Sequence, residues 1–169
     1  MALNTQVIGK SLTNGYAGSY ARQPEMIAST RKVGGSDALA FGVPVKYSSG
    51  AVVLMGASSA AADFVGFIGR EFKSSLNYLS QDGEYAVGED ATVFQQGCIN
   101  IYCQRGTPAL NGDVYVRITA NASYPTCVVG GIEASADSTN TVKLTNVKFS
   151  GAADANGIAE VRILYPINA

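Results

Sequence analysis

Apolar and polar side chains alternate over short runs, and this limits what the chain can fold into. Leu39, Phe41, Val43 and Val45 are separated by small or polar residues, and Val114, Val116 and Ile118 by Tyr115, Arg117 and Thr119. Over 158–165, Ile158, Glu160, Arg162 and Leu164 fall on one side and Ala159, Val161, Ile163 and Tyr165 on the other. A period of two is that of a half-buried strand. Ser48-Ser49-Gly50, Asp82-Gly83, Asn111-Gly112 and the DANG sequence at 154–157 close such runs as tight turns. Further strands are expected over 51–55, over 64–72 (kinked by two glycines), at 126–129 and over 142–149, where Asn146 falls on the apolar face. A long pattern over 91–105 carries Val93, Cys98, Ile99, Ile101 and Tyr102, which cannot all share one face, so Gly97 is expected to mark a bulge. Pro44 cannot donate to a ladder, so its strand lies at an edge or breaks there. The best helical stretch, 58–63, is too short to stand alone. About eight to ten short strands divided by glycine turns predict an all-β fold, a small β-barrel or sandwich.

Residues 1–32 differ from the rest. Gly15, Gly18 and Pro24 punctuate them, no period is sustained, and Tyr16, Tyr20, Met26 and Ile27 are scattered. This composition is too sticky for a solvated tail and too irregular for a packed element. The segment is expected to be an extended N-terminal arm docked on its own domain or on a neighbouring subunit, with 33–169 forming a single β domain. A frayed terminus is the plainer alternative.

Several function classes are excluded or disfavoured. The chain has no histidine, which removes Ser-His-Asp and Cys-His mechanisms and imidazole-ligated zinc. Twelve basic and thirteen acidic residues give a net charge of -1, without the basic stripe of a nucleic-acid binder. No apolar run approaches the length of a membrane span, and the N-terminus lacks a signal-peptide core, so cytosolic synthesis is expected. No cofactor or metal site is expected. Charged residues are only 15% of the chain, against roughly 25% in ordinary soluble domains. Gly, Ala, Ser and Thr make up 67 of 169 residues. A surface this small and uncharged suits one covered by neighbours in an assembly.

The residues able to carry chemistry have plain readings. Asp82, Glu84, Glu89 and Asp90 cluster, but their spacing is not that of a calcium loop, and they read as solvated turn residues, as do Asp137, Asn140, Asp154 and Asn156. Asn121-Ala122-Ser123 is formally a glycosylation sequon, without a secretory signal to give it meaning. Gly66-Phe67-Ile68-Gly69 lacks the residues of a phosphate loop. Arg22, Arg31, Lys32, Arg70, Lys73 and Arg105 are dispersed and read as rim salt bridges. Cys98 and Cys103 would lie about 16 Å apart on opposite faces of a regular strand, so they should not pair with each other. Pairing of either with Cys127 or with a second chain, or three buried free thiols, stays open.

The order of these features resembles the structural cement (decoration) proteins of tailed bacteriophages. Gly15-Tyr16-Ala17-Gly18 precedes Arg22-Gln23-Pro24-Glu25; Ala40-Phe41-Gly42-Val43-Pro44-Val45 and Phe64-Val65-Gly66-Phe67-Ile68-Gly69-Arg70-Glu71 follow. Next come Tyr85-Ala86-Val87-Gly88-Glu89-Asp90, Gln96-Gly97-Cys98-Ile99-Asn100-Ile101, Asn111-Gly112-Asp113-Val114-Tyr115-Val116 and Asp154-Ala155-Asn156-Gly157-Ile158. The resemblance spans nearly the whole chain. It implies a non-enzymatic virion protein on the capsid exterior that bridges major capsid protein subunits, often as a homotrimer at threefold positions, and holds the shell against internal DNA pressure. It also implies that Tyr16, Tyr20, Arg22, Pro24, Met26, Ile27 and Arg31 make capsid or inter-subunit contacts. The three cysteines and the long, mostly polar stretch 121–140 depart from the pattern. Other readings are a head-tail joining, tail or fibre β-domain, and a carbohydrate-binding module, which the absence of tryptophan disfavours.

Overall fold

The structure, a computed structural model, describes residues 13–71 and 83–166. The first twelve residues of the expected arm, the stretch 74–81 and the turn residue Asp82 lie outside the described residues. The described residues form eleven strands: β1 (Tyr20–Lys32), β2 (Leu39–Ala40), β3 (Pro44–Ser48), β4 (Ala51–Leu54), β5 (Phe64–Ile68), β6 (Glu84–Tyr85), β7 (Asp90–Arg105), β8 (Asp113–Arg117), β9 (Ile132–Glu133), β10 (Thr141–Phe149) and β11 (Ile158–Ile163). The fold is all-β, and the only helical segments among the described residues are 3-10 turns at Ala61–Asp63 and Ser138–Asn140.

The sixteen-residue strand β7 organises the molecule. Its C-terminal half pairs antiparallel with β11, from Gly97↔Ile163 to Tyr102↔Ile158, and parallel with β9 at Cys103↔Ile132. With the order β11-β10-β8-β9-β7, these pairings close a five-stranded barrel. Closure leaves no open edge there. The N-terminal half of β7 pairs with β1 along one side and with β5 at Phe94↔Phe67 on the other; β3 and β4 continue the sheet. A parallel bridge from Val33 to Val52 brings β4 back to the end of β1.

Strand β7 contributes to two cores, its C-terminal half and Phe94 to the larger, Ala91 and Val93 to the smaller. The larger core includes Ile99, Ile101, Val114, Val116, Leu144, Phe149 and Val161, together with Phe64, Phe67 and Phe94. The smaller includes Val33, Val45, Val52, Val65, Ile68 and Val93. Gly97, at φ +104, is the hinge between the halves, and its missing Cβ admits the Glu25 carbonyl oxygen, which would lie 2.7 Å away.

Several local expectations are corrected. The run Leu39–Val45 is broken by a turn at Phe41-Gly42, and Pro44 opens β3 inside the sheet, the first-residue position where its missing N–H costs least. Residues 126–129 form turns, not a strand, and the strand in this region is Ile132–Glu133. Within the irregular segment before residue 33, Tyr20–Lys32 is a strand. Register shifts between Tyr20 and Arg22, between Arg22 and Ile27, and between Ile27 and Ala28 break its alternation, so no sustained period is visible.

Candidate interaction surface

β1 divides the residues proposed as contacts into two groups. Tyr20 and Met26 turn inward. The Tyr20 ring stacks on Phe94 at 5.3 Å between centroids, and Met26 packs against the larger core. The Tyr20 hydroxyl donates to Glu71, and burial, then this carboxylate, pushes its pKa up. Arg22, Ile27 and Arg31 face outward. Arg22 Nε donates to Glu160 at 3.0 Å, and Arg31 Nε donates to the Tyr47 hydroxyl at 3.2 Å. Ile27 is 47% exposed. The side chain of Pro24 lies outside the described residues.

The outward face of β1 continues onto the barrel. Arg22 and Arg162 both stand opposite Cys98, one on each neighbouring strand. Arg162 in turn reaches Glu25 at 3.2 Å. The cysteines are free thiols in this structure. Burial and the neighbouring Glu160 raise the pKa of Cys98, against the pull of Arg162 and Arg22. Burial likewise raises that of Cys103, whose thiol donates to the Arg105 carbonyl at 3.3 Å. A raised pKa leaves little thiolate at neutral pH, so neither thiol is activated.

Residues 13–19 are pinned to the barrel. The Asn14 N–H donates to Asp154 Oδ2 at 2.9 Å, and its amide donates to the Ile158 carbonyl at 2.7 Å. The Asp154 carboxylate also accepts from the N–H groups of Asn156 and Ile158, and these donors, Asn14 first, hold its pKa below the ordinary value. Gly18 N–H donates to the Asn100 carbonyl and Arg70 N–H to the Gly18 carbonyl, both at 2.7 Å. A Cβ on Gly18, at φ +79, would lie 2.9 Å from both Gly42 N and Ile68 O. Only glycine allows these two backbones to approach so closely.

This approach builds a cleft of about 460 Å³ lined by Tyr16, Phe41, Arg70, Asn156 and Ile158, among others. The Arg70 guanidinium lies 4.7 Å from the Tyr16 ring centroid and 5.6 Å from that of Phe41. Tyr16 is 67% exposed. Among the described residues Arg70 therefore makes no rim salt bridge of the kind expected of it. Neither Phe41 nor Arg70 stood out in the sequence as a contact residue, because glycine turns far apart in the chain bring them together.

A second cluster fixes the polar stretch 121–140. Glu133 is fully buried on β9; its Oε1 accepts from Arg117 Nε and its Oε2 from Arg105 Nε, both at 2.5 Å. Gln104 also donates to Glu133 Oε1, at 3.0 Å. Arg117 reaches Asp137 at 2.9 Å, and the Asn121 amide and then Arg117 hold the Asp137 pKa down. The Tyr124 ring lies 4.5 Å from the Arg105 guanidinium. Among the described residues, no group of three acidic or cysteine side chains is placed to hold a metal ion. No helix there is long and apolar enough to cross a membrane.

A family model described as structural cement protein (E217 gp24/Pam3 gp6) matches residues 3–164. The chain belongs to this phage structural cement protein family. A solved chain from a structure titled "The capsid of Myoviridae Phage XM1" has the same fold, with a TM-score of 0.69 at 20% identity, covering 96% of this chain and 98% of that one. No curated protein sequence matches. The resemblance in glycine turns and strand order thus corresponds to a family match over nearly the full length of this cement protein.

Proposed function

We propose that this cement protein binds the outer surface of a phage capsid, bridges major capsid protein subunits and stabilises the shell against the pressure of packaged DNA. The family match over residues 3–164 carries this reading. The low charge content and the outward residues Arg22, Ile27 and Arg31 on β1 are in keeping with it. The protein acts as a homotrimer without enzymatic activity, away from nucleic acid and membrane. Each copy need bury only a standard interface of about 1,600 Å². Many copies, each tying neighbouring subunits together, make the shell hard to open because all must yield together.

The test is to mix the purified protein with shells of its phage that lack it. Saturable binding of hundreds of copies per shell, with a higher temperature of DNA release, is the expected result. Density spread over threefold positions in cryo-electron microscopy would locate the copies, and light scattering at three times the 17.5 kDa chain mass would establish the trimer. About a dozen copies confined to the neck would instead make it a joining protein, and no binding would overturn the virion role.

A further inference from the structure

We infer that the cleft of Tyr16, Phe41 and Arg70 is a docking site for a carboxylate-bearing segment of the major capsid protein. This rests on the capsid-binding reading above and names the surface that engages the partner. Arg70 is distinctive among the six arginines. Arg22, Arg105, Arg117 and Arg162 ion-pair with carboxylates, and Arg31 donates to the Tyr47 hydroxyl and the Thr30 carbonyl. The guanidinium of Arg70 has no hydrogen-bonding or ionic partner among the described residues; its contacts are the two rings.

The chemistry of the cleft points to an acidic side chain on an extended segment. Arg70 is the one charged residue among the described residues of the lining, so the lining presents a positive charge and no carboxylate of its own. A guanidinium resting on aromatic rings keeps its N–H fork available for the two oxygens of a carboxylate. Contact with the rings restrains the long side chain, which reduces the entropy lost on binding. Phe41 and Ile158 offer apolar wall to the stem of the incoming residue. A nucleic acid is the poorer fit, since it requires a row of cations and here there is one. Arginine and tyrosine are also the residue types that dominate binding energy at interfaces.

The experiment compares wild type, R70A, R70K and Y16A for binding to shells lacking the protein. Circular dichroism and thermal melting verify that each variant is folded. R70A should bind about 30-fold more weakly, which is about 2 kcal/mol at 1.4 kcal/mol per decade. R70K keeps the charge but loses the fork, and should fall between. Its new amine also allows zero-length carbodiimide coupling, which should join position 70 to an Asp or Glu of the major capsid protein. Y16A removes an exposed ring, should bind about 5-fold more weakly, and serves where R70A does not fold. Unchanged affinity of R70A and Y16A, with wild type binding normally, would overturn the docking site while leaving capsid binding intact. Coupling of position 70 to another copy of this chain would overturn the assigned occupant. Failure of wild type itself to bind shells would remove the capsid-binding reading, and the docking site with it.

Discussion

Replacing Glu133 with glutamine changes no volume, yet it should cost a large part of the stability of the barrel. The Glu133 carboxylate is fully buried and accepts from three donors, Arg105, Arg117 and Gln104. A glutamine amide has one acceptor oxygen and an NH2 group. In either orientation, the NH2 faces a guanidinium Nε–H at a position where an oxygen now sits 2.5 Å away. Arg117 is fully buried too, and would retain only Asp137, at 2.9 Å, as a charged partner. Removing one member of a buried ion pair typically costs about 3–5 kcal/mol. For a domain of this size, each kcal/mol lowers Tm by about 2–4 °C, so E133Q should melt about 10 °C below wild type. The assay is calorimetry at pH 7 on wild type, E133Q, R117M and the double variant R117M/E133L. The apolar double variant should be less destabilised than the two single losses added together, because it removes both fully buried charges and leaves only the partly exposed Arg105 and Asp137 without their ionic partners. An E133Q melting point within 2 °C of wild type would refute the reasoning. So would strict additivity in the double variant.

Three other outcomes test the architecture. Gly18→Ala places a Cβ 2.9 Å from Gly42 N and Ile68 O at φ +79, and should lose about 1–3 kcal/mol in urea unfolding, whereas Gly50→Ala, at φ +81 with nothing within 4 Å, should lose only about 1 kcal/mol for its backbone conformation. Asp113, Asp137 and Asp154 all have pKa values below the ordinary one in the folded state, so their stabilising effect is complete above about pH 5 and is lost as pH falls through the folded values. Tm should therefore be flat from about pH 5 to 7 and drop steeply below about pH 4, and D154N should make that drop shallower; a Tm that rises on acidification would contradict this assignment. Beginning the chain at Val33 removes β1, strips Tyr20 from Phe94 and leaves the first half of β7 paired only through β5; the truncated chain should show no cooperative melting transition, and a normal transition would show that β1 is dispensable.

The positions of many strands and turns were legible because they rest on local chemistry. Alternation located β10 and β11, and the glycines at turns ended strands close to where the backbone ends them. Gly97 read as a bulge is the hinge of β7. What the sequence concealed has a common physical cause: side chains whose partners are distant in the chain. Glu133 looked like part of a polar loop because an acid at an inward strand position makes sense only once Arg105 and Arg117 are beside it. β1 looked like an arm because register shifts hide its period. The same segment is both arm and core, since Tyr20 and Met26 hold it down while Arg22, Ile27 and Arg31 face outward. Tyr16, Phe41 and Arg70 are separated by 25 and 29 positions, and they meet only because Gly18 and Gly42 touch backbone to backbone. A side chain at Gly18 would therefore push apart the walls of the cleft as well as strain the fold. G18A should then weaken shell binding even where the protein remains folded, whereas G50A, remote from the cleft residues, should leave binding unchanged. That contrast separates damage to the docking site from a general loss of stability.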